Sequence, residues 1–238
     1  DIMRVAIMQP YFFPYIGYFS LIKHVDKFIL FDTVQFIRHG WIERNRILKP
    51  SEGWQYIKVP LKKHSRNTII KDITIDNEQN WQQKIISQLQ HYKKIAPYYS
   101  ETIQLLSGIF SKEYNNIVEI NFIALRSVCN YLGITTPIEI YSDMNLNIEK
   151  VNAPDEWALN ICKTLDNVDE YWNPPGGKSF FDKTKYEKSN IKLRFHSIIF
   201  TEYSQKRKVF YPGLSIIDVL MFNTKDEINT MLDKYELE

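Results

Sequence analysis

The start of the chain alternates strand, loop, helix and strand, and this order constrains the fold more than any other feature. A short apolar run at 5–8 stops at Gln9-Pro10, apolar residues recur at helical spacing over 18–25, and a second apolar run fills 28–31. Two prolines and a glycine shape the loop before the helix. Two strands joined by one helix within so short a stretch form a βαβ unit, which requires parallel strands. We therefore predict an α/β protein.

After this unit the hydrophobic pattern changes. Short runs of β-forming residues at 55–59 and 69–75 are interrupted by glycine and proline. Such runs are typical of antiparallel strands joined by turns. We predict an inserted antiparallel β element over residues 34–75.

Helical spacing then dominates residues 76–133. Asp76 is the expected cap of the first helix, because an aspartate side chain accepts hydrogen bonds from the free amides of a helix start. Further helices are expected at 98–111 and 117–132, and Gly133 is expected to end the last one.

The remainder of the chain returns to alternating strands and helices. A Rossmann-like parallel sheet with helices on both faces accounts for this order. We expect residues 3–33 and 134–238 to form the α/β body and the whole chain to form one unit. The elements predicted in this part are a strand at 137–141, a helix at 154–165, strands at 169–172 and 191–200, and two short helices opened by Ser215-x-x-Asp218 and Thr224-x-x-Glu227.

Positive charge is concentrated in the inserted element. The whole chain has a net charge of +2, yet residues 36–66 carry eight cations and two anions, a local charge of +6. This concentration indicates a local site for an anionic ligand rather than a general nucleic-acid binder. A solvated hairpin with lysines along its edges is the alternative. The cations are Arg38, Arg44, Arg46, Lys49, Lys58, Lys62, Lys63 and Arg66.

Several classes of protein lack the sequence features that they need. No window offers the roughly 18 apolar residues of a membrane span, and no apolar region follows a basic start, so we expect a cytoplasmic protein without a membrane span. Cys129 and Cys162 lie in apolar helical patterns and are expected to be buried free thiols. Because the sequence contains no recognised metal-binding motif and no nucleic-acid-binding module, we expect the protein to bind neither a metal ion nor nucleic acid.

Three unusual loops follow predicted strands, and ligands of open parallel sheets bind at such strand ends. The first loop is rich in aromatic residues, which can stack on a flat ring, and its glycine allows phosphate to approach a helix start. It has no histidine and so no proton shuttle for neutral pH. Core packing is the alternative for each aromatic. The candidate binding residues are Gln9, Tyr11, Tyr15, Gly17 and Tyr18.

The second loop, residues 32–46, combines a carboxylate with amide, imidazole, indole and guanidinium groups. Arginine forms bidentate contacts with phosphate, so a nucleotide or nucleotide sugar fits if these groups face one cavity. Asp32 or His39 is the candidate catalytic base toward an amine or hydroxyl. An exposed hairpin histidine is the alternative for His39. The candidate binding residues are Gln35, Trp41, Arg44, Asn45 and Arg46.

The third loop, residues 173–179, resembles a phosphate cradle. Gly176 and Gly177 free the backbone, and Lys178 supplies positive charge. The spacing does not match G-x-x-x-x-G-K-[ST], so a P-loop NTPase is not predicted. A plain Pro-Gly turn is the alternative.

Long motifs in this chain resemble the WbqC-like family over essentially its whole length. The motifs are MQPYFFPYIGYF at 8–19, D-x-VQF at 32–36, GWI-x-RNRI at 40–47 and LSIID at 214–218. The resemblance implies a role in bacterial O-antigen or other surface-polysaccharide synthesis. For some members the proposed activity is attachment of glycine or another small acyl group to an amino sugar.

A weaker similarity links the chain to pantothenate synthetase and other nucleotidyltransferase-like proteins. Those proteins carry H-x-G-H after the first strand, where this chain has Tyr15-Ile16-Gly17-Tyr18, and a second loop near the position of Gly177-Lys178-Ser179. This similarity implies a nucleotidyltransferase-like sheet and ATP as a candidate cofactor. Both histidines are tyrosines here, and a tyrosine is not a cationic stabiliser, which weakens the case for adenylate formation.

The leading hypothesis is an amide-forming transferase that acts on a dTDP- or UDP-linked amino sugar with a small acyl or amino-acid donor. Its phosphate would contact Arg44, Arg46 and Lys178, and its ring would stack on Trp41 or Tyr11. Gln9 and Gln35 would orient the substrate. The alternative is a nucleotide-sugar-binding accessory protein without catalytic activity.

Overall fold

The predicted parallel sheet is present in the computed structural model, which describes residues 1–238. The strands are β1 (Arg4–Met8), β2 (Lys27–Leu30), β3 (Arg44–Leu48), β4 (Trp54–Lys58), β5 (Ile138–Ile140), β6 (Glu170–Asn173), β7 (Lys192–Ile198) and β8 (Tyr235–Leu237). Six of them pair in the order β5-β2-β1-β6-β7-β8, and all neighbouring strands are parallel except β7 and β8. The inserted strands β3 and β4 form a separate sheet, and β8 was not predicted.

Helices cover both faces of the six-stranded sheet. In β1, Ala6 faces a core of 49 buried residues, whereas Val5 and Ile7 face a second core of 11, as strand alternation requires. The helices are α1 (Ile16–His24), α2 (Trp81–Gln88), α3 (Tyr99–Ile109), α4 (Ile117–Leu132), α5 (Tyr141–Met144), α6 (Glu156–Thr164), α7 (Lys183–Lys188), α8 (Ile216–Phe222) and α9 (Lys225–Leu232). Helices α6 and α7 pack into the smaller core and most other helices into the larger.

The strand order places a crevice beside β1. The chain runs from β1 to β2 and then to β5 on one side, and it returns to β6 on the other side of β1. In doubly wound sheets the ligand binds where the strand order reverses in this way, outside the carboxyl ends of the two central strands. Those ends are Met8 in β1 and Asn173 in β6.

The inserted segment contains an antiparallel pair, as predicted, but only β4 matches a predicted run and β3 was not predicted. Strands β3 and β4 pair in register from Arg44 opposite Lys58 to Leu48 opposite Trp54. The predicted strand over 69–75 is wrong, because Ile70–Asp72 form a 3-10 turn and only isolated bridges flank it. Its buried residues are Ile70, Ile73 and Ile75, and the spacing of three between the first two follows the 3-10 turn rather than a strand.

Helix ends follow the sequence signals in part. Gly133 ends α4 with φ of 78°, and the side chains and amides of Thr224 and Glu227 form the capping box of α9. The first predicted helix begins later than expected, at Trp81, because Asp76 accepts hydrogen bonds from Glu78 and Gln79 in a local turn. None of the helices has the length and apolar content needed to cross a membrane.

Candidate functional site

A cavity of about 510 Å³ lies at the crevice beside β1. Met8 at the end of β1 and Pro174 after β6 line its floor, as the strand order requires. The first predicted loop, the inserted segment and a late segment (residues 199–213, here called the wall segment) supply the rest. These lining residues are Tyr11, Pro14, Tyr15, Trp41, Asn45, Arg46, Phe200, Pro212 and Gly213.

Arg46 is the cation of this cavity, and its guanidinium lies between two indole rings. Its Cζ is 5.3 Å from the ring centre of Trp41 and 5.1 Å from that of Trp54. Nη2 donates to the backbone oxygen of Gly213 at 3.2 Å, and the buried Nε has no acceptor. No carboxylate lies within 4.0 Å of it. Arg46 is therefore held in place with its charge uncompensated, which favours an anionic ligand.

Two tyrosine hydroxyls accompany this cation. Burial raises the pKa of Tyr11 and of Tyr15, and the neighbouring Tyr11 raises the pKa of Tyr15 further. Both hydroxyls therefore stay protonated at neutral pH and can donate hydrogen bonds to an oxygen. The Tyr15 ring lies 6.3 Å from that of Phe200 across the cavity.

Gly17 determines where the Tyr15 ring lies. A Cβ at Gly17 would lie only 2.6 Å from Cζ of Tyr15. Gly17 is buried within α1, so its role in the structure is to leave room for that ring. Its neighbour Tyr18 lies outside the cavity, since its buried hydroxyl donates to the backbone oxygen of Gln9 at 2.7 Å. The Gln9 side chain does not line the cavity.

Buried amides join the first loop to the inserted segment. Asn121 of α4 donates to the backbone oxygens of Pro10 at 3.0 Å and of Ile42 at 2.9 Å. Asn45 donates to the Phe12 oxygen at 3.2 Å, and its own oxygen accepts from the Arg46 amide at 2.8 Å. Sequence reasoning missed Asn121, although an asparagine on the apolar face of a predicted helix is a usable signal, because a buried amide requires partners.

A buried carboxylate holds the wall segment. Asp218 of α8 is fully buried, and it accepts hydrogen bonds from the Tyr203 hydroxyl at 2.7 Å, Gln205 at 2.9 Å and the Tyr92 hydroxyl at 2.6 Å. Burial raises the pKa of Asp218, and these donors oppose that effect. Gln205 in turn bonds both the amide and the oxygen of Tyr211, next to the cavity-lining Pro212.

The spacing Ser215-x-x-Asp218 is compatible with a capping box, in which the Asp218 side chain would accept from the Ser215 amide. Ser215 does cap α8, because its hydroxyl accepts from the Ile217 amide at 3.2 Å. The Asp218 carboxylate instead accepts from Tyr203 and Gln205 of the wall segment.

The two candidate bases lie outside the cavity. Asp32 is 1% exposed, and its carboxylate accepts from the amide of Ser142 at 3.0 Å and from the Ser142 hydroxyl at 2.5 Å. These bonds join the end of β2 to α5. His39 is exposed in a turn with φ of 64°, and its backbone oxygen accepts from Arg44.

Two further candidates of the second loop also lie outside the cavity. The Arg44 guanidinium lies 4.0 Å from the ring centre of Tyr56 on β4, and its Nε donates to the Gly40 oxygen at 3.2 Å. Gln35 is exposed and donates to the backbone oxygen of Arg66 at 2.7 Å. The structure thus separates Arg44 from Arg46, although only one residue lies between them.

The third loop reaches the cavity only through Pro174. Pro175–Gly177 form a 3-10 turn, in which Gly176 meets open space and a Cβ at Gly177 would collide with the Asn173 side chain. Lys178 forms a salt bridge with Glu238. The first two loops therefore converge on one cavity, and the glycines and lysine of the third do not join them.

The side chains that line the cavity are one cation, one amide, aromatic rings and apolar groups, with no carboxylate, imidazole, amine or thiol. The cavity can bind a flat or apolar ring beside an anionic group. The hydroxyls of Tyr11 and Tyr15 can donate hydrogen bonds there, and no lining group is a strong proton acceptor at neutral pH.

The strand order and the position of the cavity define a Rossmann-like α/β protein with its candidate ligand site at the topological switch point. The family model described as the WbqC-like protein family matches residues 9–230, and the chain belongs to this family. It is similar to "Uncharacterized protein Rv1507c" of Mycobacterium tuberculosis, with 31% identity over 227 residues, which cover 94% of this chain and 95% of that protein. No solved structure matches the chain significantly.

Proposed function

We propose that the cavity binds a nucleotide-linked amino sugar and that the protein transfers glycine or another small acyl group to its amine. The observation that carries the proposal is the uncompensated Arg46 guanidinium, held between Trp41 and Trp54 beside aromatic rings. Only Nη2 of the guanidinium donates a hydrogen bond within the protein, so N–H donors remain for ligand oxygens. A diphosphate supplies such oxygens, and a base or sugar ring suits the aromatic wall.

The proposed reaction transfers an activated acyl group to the amine of the sugar. The amine lone pair attacks the carbonyl carbon of an activated acyl group, the leaving group departs with the bonding electron pair, and the amine loses a proton to water. The protonated hydroxyls of Tyr11 and Tyr15 are suited to donate hydrogen bonds to the oxyanion that forms. If free glycine is the donor, its carboxylate must first be activated, and ATP is then the proposed cosubstrate.

Family membership supports the proposed setting, which is synthesis of bacterial surface polysaccharide such as O-antigen. We propose a cytoplasmic location. The two cysteines are free and buried, as in proteins of reducing compartments.

A binding protein without catalytic activity is the second candidate function. The observation that favours it is the absence of a strong proton acceptor from the cavity wall, since Asp32 and His39 both lie elsewhere. Such a protein would bind the nucleotide sugar and hand it to a partner enzyme of the same pathway.

The test is product formation from dTDP- and UDP-linked amino sugars with glycine, with and without ATP, measured by mass spectrometry. A glycyl adduct establishes the transferase, and its dependence on ATP decides whether the protein activates its own donor. Thermal stabilisation by the nucleotide sugar without any adduct supports the binding protein.

The matched variants are Arg46→Gln and Arg44→Gln. Each removes one positive charge, and a single residue separates the two positions. We expect Arg46→Gln to weaken ligand binding by about 10- to 100-fold, the loss of a charge-assisted hydrogen bond, and Arg44→Gln to leave binding unchanged. Equal effects of both variants would remove the cavity assignment.

A further inference from the structure

The inserted segment also carries a cluster of exposed cations away from the cavity. Arg38 lies in one loop, and Lys62, Lys63 and Arg66 lie in the connection that follows β4. These two stretches lie side by side, because the Phe36 amide donates to the Thr68 oxygen at 2.9 Å. We call Ile37, Arg38, Lys62, Lys63 and Arg66 the basic surface.

The charges of the basic surface are not neutralised within the protein. None of its four cations lies within 4.0 Å of a carboxylate, whereas cations elsewhere, such as Lys23 and Lys185, form salt bridges. The anions of the inserted segment are Glu43, Glu52 and Asp72, and none of them forms a salt bridge. A concentration of unpaired cations of this kind attracts a polyanion.

An aliphatic side chain lies among these cations. Ile37 is 70% exposed, the highest value for any large hydrophobic residue of the chain. Its neighbour Phe36 is buried and contacts the ring of His64 at 5.3 Å, so the loop is fixed while Ile37 remains outside. The backbone of nucleic acid gains little from an exposed isoleucine, whereas the boundary between lipid headgroups and acyl chains accepts one.

We propose that the basic surface binds the anionic headgroups of a lipid bilayer and that Ile37 enters the interface between headgroups and acyl chains. Lysine and arginine side chains near such a surface gain from its negative potential, and a single apolar residue adds burial. Because the surface has only four cations and places only one apolar residue in the bilayer interface, the binding is peripheral and reversible. The proposal does not depend on the function proposed for the cavity.

The test is cosedimentation of the full chain with phosphatidylcholine vesicles, with and without phosphatidylglycerol. We expect binding only to the anionic vesicles and a loss of binding as salt is raised. The triple variant Lys62→Gln/Lys63→Gln/Arg66→Gln is expected to weaken binding by about 100-fold. The control, Lys150→Gln/Lys188→Gln/Lys192→Gln, removes the same charge from exposed lysines elsewhere and is expected to bind as the wild type.

Ile37→Ser separates the lipid surface from other polyanions. It is expected to weaken vesicle binding about 5-fold or more while leaving the salt dependence intact. Three results would overturn the proposal: no binding to anionic vesicles, equal loss in the control triple variant, or unchanged binding of Ile37→Ser. In the last case the surface recognises charge alone, and tighter binding to duplex nucleic acid or to an acidic peptide would identify that partner.

Discussion

Arg46 donates a hydrogen bond of 3.2 Å from Nη2 to the backbone oxygen of Gly213, which joins the inserted hairpin to the segment that precedes α8. The backbone repeats this connection, because the Ser215 amide donates to the Arg46 oxygen at 2.9 Å. The cavity is thus built between two parts of the chain that are distant in sequence. Its stability depends on buried polar groups outside the cavity, among them Asp218 and Asn121.

Replacing Asp218 by asparagine should destabilise the protein and loosen the wall segment. Tyr203, Gln205 and Tyr92 all donate hydrogen bonds to the Asp218 carboxylate. In the variant an amide nitrogen, which is itself a donor, would replace one of the two accepting oxygens. We expect a loss of about 2 kcal/mol in the free energy of unfolding, measured with urea. Asp233→Asn, in an exposed ion pair with Lys23, is the control and should cost less than about 1 kcal/mol. Similar losses in both variants would contradict the assigned role of Asp218.

Replacing Gly17 by alanine should impair ligand binding without unfolding the protein. The added methyl group would displace the Tyr15 ring, whereas alanine is favoured over glycine within a helix by roughly 1 kcal/mol. We expect an unchanged or slightly higher melting temperature and weaker binding of the nucleotide sugar. In a Tyr15→Ala background the same substitution should have no further effect on binding. An additive effect there would show that Gly17 acts on the ligand directly.

Replacing Asn121 by alanine should separate the first loop from the inserted segment. The variant leaves the buried oxygens of Pro10 and Ile42 without a donor. We expect it to lower the free energy of unfolding by about 2 to 3 kcal/mol. Asn130→Ala, at an exposed position of the same helix, should change it by less than about 0.5 kcal/mol. A small effect at Asn121 would mean that water replaces the missing donor.

Acidification should destabilise the protein through His196. This residue is 3% exposed and its Nε2 lies 2.9 Å from the hydroxyl of Ser20, which itself donates to the Leu232 oxygen, so Nε2 carries the proton. Burial, followed by the effect of His24, lowers the pKa of His196 to about 4. The unfolded chain therefore binds one more proton than the folded protein between about pH 6.5 and pH 4, and stability falls as the pH decreases through this window.

The check on this prediction is the free energy of unfolding as a function of pH for the wild type and for His196→Gln. Glutamine keeps an N–H donor for Ser20 but cannot be protonated in this range. The wild type should lose about 3 kcal/mol more than the variant across the window. Parallel curves would show that His196 is not responsible.

Much of the fold could be read from local patterns. The βαβ unit indicated a parallel sheet, and the spacing over 117–132 with Gly133 gave both ends of α4. Local patterns failed where the decisive partner was distant. Asp76 lies at a suitable cap position, yet it forms a local turn, and the predicted strand at 69–75 contains a 3-10 turn in which Ile70 packs into the core.

The residues of the candidate site were likewise predictable from the sequence only in part. Residue types in the first two loops pointed to Tyr11, Tyr15, Trp41 and Arg46, all of which line the cavity. The same reasoning also selected Arg44, because one sequence cannot show that the strand direction and the Tyr56 ring lead its guanidinium elsewhere. The wall segment gave no signal, since its residues gain their role only through Asp218.

The sequence by itself determined the α/β class, the parallel order of the first strands and the chemistry of the loops, because these depend on residues that are neighbours along the chain. The tertiary structure alone decided which loops meet and which cation lines the cavity. Packing of α4 and α8 brings Asn121 and Asp218 to segments up to 111 and 126 residues away. Contacts at such separations depend on the whole core, and no local pattern records them.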